Sequence, residues 1–358
     1  MRFPTVGENK EVDTAAVREM IAYAIKNGVN YYDTAWVYHG GKSESVIGEI
    51  LSEYPRESFY IADKFPGFNK ENFEKVSEIF EEQLKRCRTD YFDFYLFHSV
   101  TEENIDGYLD PQYGVYNYLI EQKKRGRIRH LGFSTHGTLA TMKRFLDAYA
   151  EELEFCQLQI NWLDWIFQDA KAKVELVKSY GLPVFVMEPV RGGKLLTLDE
   201  KHESALRAKA PDRTLPEWAF RFVQGIPEVA ITLSGMSNMT QLSENISTFE
   251  ERRPLAEDEL ALLMKIAREM SGAKTVQCTA CRYCTEECPQ GLDIPWLIDI
   301  YNEISVLGRT ANAKNAIADE PESQHPKSCL GCRACESVCP QSIKISEVLS
   351  HLVRRLER

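Results

Sequence analysis

Four side chains in the first hundred residues have the types and spacing to move a proton. Asp33 closes a strand-like run, 29–33, and Tyr38 follows five residues later. The next strand-like run, 58–64, ends at Lys64, and the one after, 92–98, ends at His98. Taken singly, an acid after a strand is more often a turn residue and a tyrosine is more often half-buried packing. Taken together, at three successive strand ends, they form a set with one chemistry. Carbonyl reduction needs a hydride at carbon and a proton at oxygen. A free tyrosine, with a pKa near ~10, is a poor acid–base catalyst at neutral pH. A lysine ammonium beside it favours the phenolate and lowers that value. Asp33 would keep Lys64 charged and oriented, and His98 could donate a hydrogen bond to the carbonyl oxygen.

A second chemistry lies at the other end of the chain. Of ten cysteines, eight fall in two runs: Cys278, Cys281, Cys284 and Cys288 followed by Pro289, then Cys329, Cys332, Cys335 and Cys339 followed by Pro340. The spacing C-x2-C-x2-C-x3-C-P places three thiolates around one cubane iron–sulfur cluster, while the fourth cysteine ligates the neighbouring cluster. One [4Fe–4S] cluster is therefore expected on Cys278, Cys281, Cys284 and Cys339, and a second on Cys329, Cys332, Cys335 and Cys288. Structural zinc is the competing reading, but it ordinarily takes separated C-x-x-C pairs. The repeated four-cysteine run favours two clusters. Cys87 and Cys156 stand alone in apolar surroundings and read as core residues.

The elements that must position these groups alternate. Strand-like runs lie at 29–33, 58–64, 92–98, 128–133, 154–160, 182–188 and 228–234, with helical patterns between them. Several strands are almost continuously apolar, as in a parallel sheet buried on both faces. Repeated βα units imply a doubly wound sheet or a closed barrel. In a (β/α)8 barrel the C-terminal strand ends meet at one mouth, which would gather Asp33, Tyr38, Lys64 and His98. Seven strands are clear where a barrel needs eight. The first must precede Asp13, where only the piece 1–4 is available, so a short or truncated first strand is expected. The charged stretch 250–254 ends the alternation. The expected organisation is a barrel over 1–254, a connecting helix over 255–275, and a helical, two-cluster ferredoxin-like domain over 276–358, with a polar linker at 309–327.

Residues 12–249 resemble the aldo-keto reductases. The matching stretches are Tyr32-Asp33-Thr34-Ala35-x-x-Tyr38, Gly41-x-Ser43-Glu44-x3-Gly48, Lys64, Leu96-Phe97-His98, Gly132-Phe133-Ser134, Gln157 and Glu244-Asn245. With the cysteine runs attached, the chain is similar to the branch of that family that carries a ferredoxin domain. The resemblance implies a catalytic tetrad of Asp33, Tyr38, Lys64 and His98. It implies nicotinamide carboxamide contacts from Ser134 and Gln157, and pyrophosphate contacts from the loop 188–194, with Glu188, Arg191 and Gly192. Gly235, Gln241 and Asn245 occupy its remaining cofactor positions. The chain departs from the family pattern at several points. Thr135 and then His136 stand where an asparagine usually follows the carboxamide-binding serine. Met187 takes the place of the aromatic that stacks on nicotinamide. The basic residues that grip a 2′-phosphate are missing at Gly235 and Gln241. Trp36, Phe65, Trp162 and Trp165 are expected to line the mouth, or else to pack in the core.

Composition narrows the alternatives. A net charge of −11, from 43 basic and 54 acidic residues, argues against a general nucleic-acid binder. No apolar run is long enough to span a bilayer and no signal-peptide pattern follows Met1, so the cytoplasm is the expected location. The reading is an oxidoreductase that reduces a small aldehyde or ketone, or oxidises an alcohol, with NAD(P)H as hydride donor and two [4Fe–4S] clusters. Nicotinamide delivers two electrons together and each cluster takes one, so a ferredoxin or flavoprotein partner is expected. Two other readings stay open: a ferredoxin-linked enzyme with flavin in the barrel, and an electron-transfer subunit that uses the barrel as a scaffold.

Overall fold

The computed structural model describes residues 2–7, 11–272, 275–276, 278, 283–307, 310–339 and 343–357. The chain forms two compact units, residues 1–263 and 264–358.

The first unit opens with two short antiparallel strands, β1 (Thr5–Val6) and β2 (Glu11–Val12). Helix α1 (Thr14–Lys26) follows, capped by the Asp13 carboxylate, which accepts from the Ala16 amide. Seven βα repeats come next. Their strands are β3 (Tyr31–Asp33), β4 (Tyr60–Phe65), β5 (Phe92–Val100), β6 (Ile128–Thr135), β7 (Phe155–Gln159), β8 (Val184–Met187) and β9 (Val229–Thr232). The helices between and after them are α2 (Ser43–Leu51), α3 (Val76–Arg86), α4 (Ile105–Leu109), α5 (Val115–Lys124), α6 (Leu139–Tyr149), α7 (Asp164–Phe167), α8 (Ala170–Ser179), α9 (Glu200–Lys209), α10 (Leu215–Gln224) and α11 (Met239–Phe249). The strands pair in sequence order, all parallel. The sheet curls into a barrel wall. Tyr31 on β3 meets Phe185 on β8 with ring centroids 5.8 Å apart, although four strands lie between them in the sheet order. Phe94 and Phe155 complete this interior aromatic layer, Phe155 stacking on Phe185 at 4.4 Å.

Among the described residues the parallel sheet has seven strands, and residues 2–4 form none. The reason is visible in their hydrogen bonds. The Phe3 amide donates to His39 Nε2, the Arg2 carbonyl accepts from the Ser237 hydroxyl, and the Pro4 carbonyl accepts from the Asp13 amide. Proline itself has no N–H for a ladder. The segment is tied to mouth loops rather than to a neighbouring strand.

Helix α12 (Glu257–Ser271) spans the division between the units. The second unit holds α13 (Tyr283–Glu286), α14 (Ile294–Leu307), α15 (Thr310–Ala318), α16 (Ala334–Ser337) and α17 (Ile345–Leu356). Its core joins Leu297 and Ile298 of α14 to Leu349 and Leu352 of α17, with Cys284 and Cys335 buried among them. Residues 310–318 correct the expected linker: they are helical, and Ala313 and Ile317, four apart, turn one face into this core. Among the described residues no helix is long and apolar enough to cross a membrane.

Candidate active site and cysteine cavity

The four expected groups meet at the C-terminal ends of β3, β4 and β5. The backbone register pairs Asp33 with Ala62 and Lys64 with Leu96, which brings the strand ends level. Lys64 is almost fully buried, and its Nζ donates to Asp33 Oδ1 at 2.6 Å and to the Thr34 carbonyl at 2.7 Å. The same ammonium lies 5.0 Å from the centre of the Tyr38 ring. The His98 ring meets the Tyr38 ring edge-on at 6.1 Å. Tyr38 sits in a tight turn whose Gly40 and Gly41 have φ of 63° and 84°, and its carbonyl accepts from the Gly41 and Ser43 amides. A hydroxyl contact of 2.8 Å between Thr34 and Ser43 closes this turn against β3.

The electrostatics divide the roles. Burial pulls the Lys64 ammonium down, but Asp33 and Tyr38 more than offset it, and the group ends above its ordinary value. The Lys64 charge is the largest influence on the Tyr38 phenol and pulls it down. Burial, with Asp33 and Asp63, outweighs that pull, so the phenol lies above the usual tyrosine value. This differs from the lowered value expected of a lysine–tyrosine pair, because the site is closed and holds two acids. Burial, with Lys64 and His136, holds the His98 imidazole well below its ordinary range, so it is neutral. Its Nδ1 is buried with no hydrogen-bond partner among the described residues.

A support that sequence reasoning missed lies on the outer face of β4. The Lys64 amide donates to Asp63 Oδ1 at 2.8 Å, and the Lys64 carbonyl accepts from Gln83 Nε2 at 3.0 Å. Gln83 also donates to Glu44 and accepts from the Tyr95 hydroxyl. Arg86 donates to the other Glu44 oxygen at 3.0 Å. Burial first, and Glu44 second, push Asp63 well above the carboxylate range. Cys87 packs here, its thiol 3.7 Å from Asp63, and Cys156 is buried likewise, so both are core residues. The signal for this network was a charged residue inside an otherwise apolar strand.

The positions implied for a nicotinamide cofactor surround the same mouth. Ser134 Oγ accepts from the Ser99 amide at 2.8 Å, which leaves its O–H available to donate. Gln157 Nε2 reaches Asp33 Oδ2 at 3.4 Å, while its Oε1 is buried without a partner among the described residues. An orphaned acceptor beside a free hydroxyl fits a carboxamide, so this end of the site suits nicotinamide. After β8 the loop is strained in the left-handed sense, with φ of 55° at Glu188, 51° at Arg191, 62° at Gly192 and 88° at Gly193. It is held from beneath. Asp164 is fully buried and accepts from Arg191 Nε at 3.1 and 3.2 Å, from Asn161 at 2.6 Å and from Gln159 at 2.7 Å. Asn161 also donates to the Glu188 carbonyl. Asp164 was not singled out in the sequence. After β9, the Gln241 carboxamide folds back to accept from the Ser237 amide, and Asn245 donates to the Ser234 hydroxyl at 3.0 Å.

Of the four aromatics given to the mouth or the core, Phe65 and Trp162 are core residues. Phe65 packs against Phe73 and Tyr108, Trp36 lies under the Arg86 guanidinium, and Trp165 meets Phe222. Side chains beyond a strand end do not follow the strand's alternation, so periodicity could not place them. Phe68, 5.5 Å from the His98 ring and partly exposed, is the aromatic beside the tetrad.

In the second unit Cys288 of the first run joins Cys329, Cys332 and Cys335 of the second around one cavity, floored by Leu292 and Leu349. Burial, with the neighbouring Cys329 thiol, pushes the Cys335 thiol up to about 12. Cys284 is buried, and Cys278 and Cys339 pack partly buried against the same core. Cys281 lies outside the described residues. Cys87, Cys156, Cys288, Cys329, Cys332, Cys335 and Cys339 are in no disulfide. Among the described residues no three His, Cys, Asp or Glu side chains converge tightly enough to hold a single metal ion.

Comparison with known proteins agrees with this division. The model of the "Aldo/keto reductase family" matches residues 2–268, and that of the "4Fe-4S dicluster domain" matches residues 277–343. L-galactose dehydrogenase of Arabidopsis thaliana is 27% identical over 285 residues, covering 73% of this chain and 84% of the relative. The uncharacterized oxidoreductase YqkF of Bacillus subtilis is 25% identical over 277 residues, covering 69% and 86%. Among solved structures, the holo form of aldo-keto reductase AKR11C1 from Bacillus halodurans is 26% identical, with a TM-score of 0.60 over 74% of this chain and 91% of that one. An aldo-keto reductase of Klebsiella pneumoniae, solved in complex with NADPH, shares the fold at 18% identity and a TM-score of 0.60, covering 74% and 90%.

Proposed function

The chain belongs to the aldo/keto reductase family, and we propose that it interconverts a small aldehyde or ketone and its alcohol at Tyr38. It is an oxidoreductase with a 4Fe-4S domain. The observation that carries the reading of the site is the buried Lys64–Asp33 ion pair beside the Tyr38 ring. A phenol held above its ordinary value keeps its proton at neutral pH, so Tyr38 is set up as a donor to a carbonyl oxygen. The Lys64 ammonium then stabilises the phenolate left behind, and Asp33 keeps that ammonium charged and aimed. The neutral His98 imidazole offers one N–H toward the same oxygen. In the oxidative direction the phenolate takes the alcohol proton back.

Ser134 and Gln157 would hold the carboxamide of a nicotinamide dinucleotide, and the loop after β8 its pyrophosphate. When bound, that cofactor supplies or accepts the hydride. In the second unit, Cys329, Cys332, Cys335 and Cys288 would ligate one [4Fe–4S] cluster, supported by their common cavity. Cys278, Cys281, Cys284 and Cys339 would ligate the other. Each cluster carries one electron, so a ferredoxin or flavoprotein is the fitting external partner.

Tyr38→Phe tests the core of this reading. The expected result is a fall in kcat of roughly 10²–10⁴-fold on small aldehydes, the range of a general acid, with dinucleotide binding retained. Unchanged turnover removes Tyr38 and the tetrad from the mechanism.

A further inference from the structure

The pyrophosphate side of the mouth raises a question of charge. Arg191, the arginine of the loop after β8, directs its Nε to both oxygens of the buried Asp164. Positions 235 and 241 carry Gly235 and Gln241, and the Gln241 carboxamide is turned back onto its own loop. Glu188 adds a carboxylate to the loop implied for the pyrophosphate.

Arg2 answers it. A Cβ built on Gly235 would come within 2.7 Å of both Cγ and Cδ of Arg2, so the Arg2 stem fills the space a side chain at 235 would take. Its guanidinium runs on toward the loop after β8 and meets Glu188 Oε1 at 3.0 Å. A Cβ at Gly192 would lie 3.4 Å from the same guanidinium nitrogen and 3.2 Å from Glu188 Oε2. The backbone beneath is fixed from two loops. The Arg2 carbonyl accepts from the Ser237 hydroxyl at 2.9 Å, and the Phe3 amide donates to His39 Nε2 at 2.9 Å while the two rings stack. The Arg2 side chain remains 56% exposed, so an incoming anion can reach it.

We propose that Arg2 supplies a cation for the dinucleotide pyrophosphate, and that Glu188 is the carboxylate it exchanges for phosphate on binding. This deepens the function proposed above and rests on it. A guanidinium matches phosphate oxygens in a fork and holds them more strongly than a neutral donor. The exchange leaves Glu188, itself partly exposed, to turn to water, and until it does so its charge opposes binding. Because Arg2 is directed toward Gly192 and not toward Gln241, it serves the pyrophosphate common to NADH and NADPH. It does not select for the 2′-phosphate.

Equilibrium titration of NADH and of NADPH into the full-length protein, followed by tryptophan fluorescence, tests the assignment without turnover. Arg2→Ala should weaken both ligands by the same factor, about tenfold or more for a lost charge-assisted hydrogen bond. Arg2→Lys should restore part of that loss. Glu188→Gln should tighten both ligands. If wild-type protein binds neither dinucleotide, the nicotinamide reading falls and this assignment falls with it. If wild type binds and Arg2→Ala binds equally well, the assignment alone is overturned. It is overturned as well if Arg2→Ala weakens NADPH and leaves NADH unchanged, because Arg2 would then serve the 2′-phosphate.

Discussion

His98 is kept neutral by its surroundings, and that has a consequence for stability. In the unfolded chain a histidine titrates near ~6.5. In the folded site, burial and then the Lys64 charge hold the imidazole well below that value. Below about pH 6.5 the unfolded chain therefore takes up a proton that the folded site refuses. Stability falls on the acid side, by at most about 1.4 kcal/mol per pH unit for one such group. His136 is lowered as well, by burial first and Lys173 second, and adds in the same direction. His98→Gln removes one of the two contributions. Thermal unfolding measured from pH 7.5 to 5.5 should show a shallower decline in the variant than in wild type. Parallel curves would mean that His98 titrates alike in both states. In the proposed mechanism a neutral His98 and a charged Lys64 would divide the labour at Tyr38: one neighbour would stabilise charge and the other would donate without carrying it.

Strand β4 carries chemistry on both faces, and the hidden face has its own test. Inward, Lys64 meets Asp33; outward, Asp63 and Gln83 hold the backbone N–H and C=O of Lys64. Asp63 and Glu44 are both raised, by burial first, so folding retains a proton that the unfolded chain releases near its ordinary carboxylate pKa of ~4. Stability from this pair is complete below that value and declines as pH rises through the folded pKa. Asparagine keeps the shape and an oxygen for the Lys64 amide, and it does not titrate. Asp63→Asn should therefore stabilise the barrel increasingly from pH 5 to pH 8, by about 2–4 °C in Tm for each kcal/mol recovered. A loss of Tm at pH 8 would show that the ionised acid, and not its neutral form, is the native state. The seven strands were legible because runs such as Leu182 to Met187 are apolar on both faces and repeat between helical patterns, as in a covered parallel sheet. The tetrad was legible for a related reason, since polar residues at the ends of apolar runs have one mouth to share. Helix α9 gives only a weak periodic signal, because its buried face is only His202 and Leu206 in a charged segment. The Asp63 network was missed because its partners come from two helices and one strand, which no local period connects. Arg2 was missed because its neighbours, Glu188 and Gly235, lie at the far end of the barrel sequence.

The molecule as a whole is two units with separate cores, and six cysteines of the two runs pack in or against the core of the second. Ligation by thiolates would couple iron loading to the folding of that unit, because the ligands must be brought together and give up their protons to bind metal. Two cubanes require about eight iron atoms per chain. The cavity shared by Cys288, Cys329, Cys332 and Cys335 joins residues from both cysteine runs, and a double-mutant comparison reads that sharing directly. Cys288→Ala and Cys329→Ala should each lower iron to about four per chain. Both should leave the same EPR spectrum in reduced, anaerobically purified protein. The double variant should lose no more than either single one, since both residues serve one cluster and their effects do not add. Cys278→Ala should leave the complementary spectrum. Binding of dinucleotide to the first unit should persist in all of these variants, since none of the replaced residues lies in that unit. If Cys288→Ala instead gives the spectrum of Cys278→Ala, each run holds its own cluster and the crossed arrangement is wrong. Protein that carries about two zinc atoms and little iron excludes the cubanes altogether.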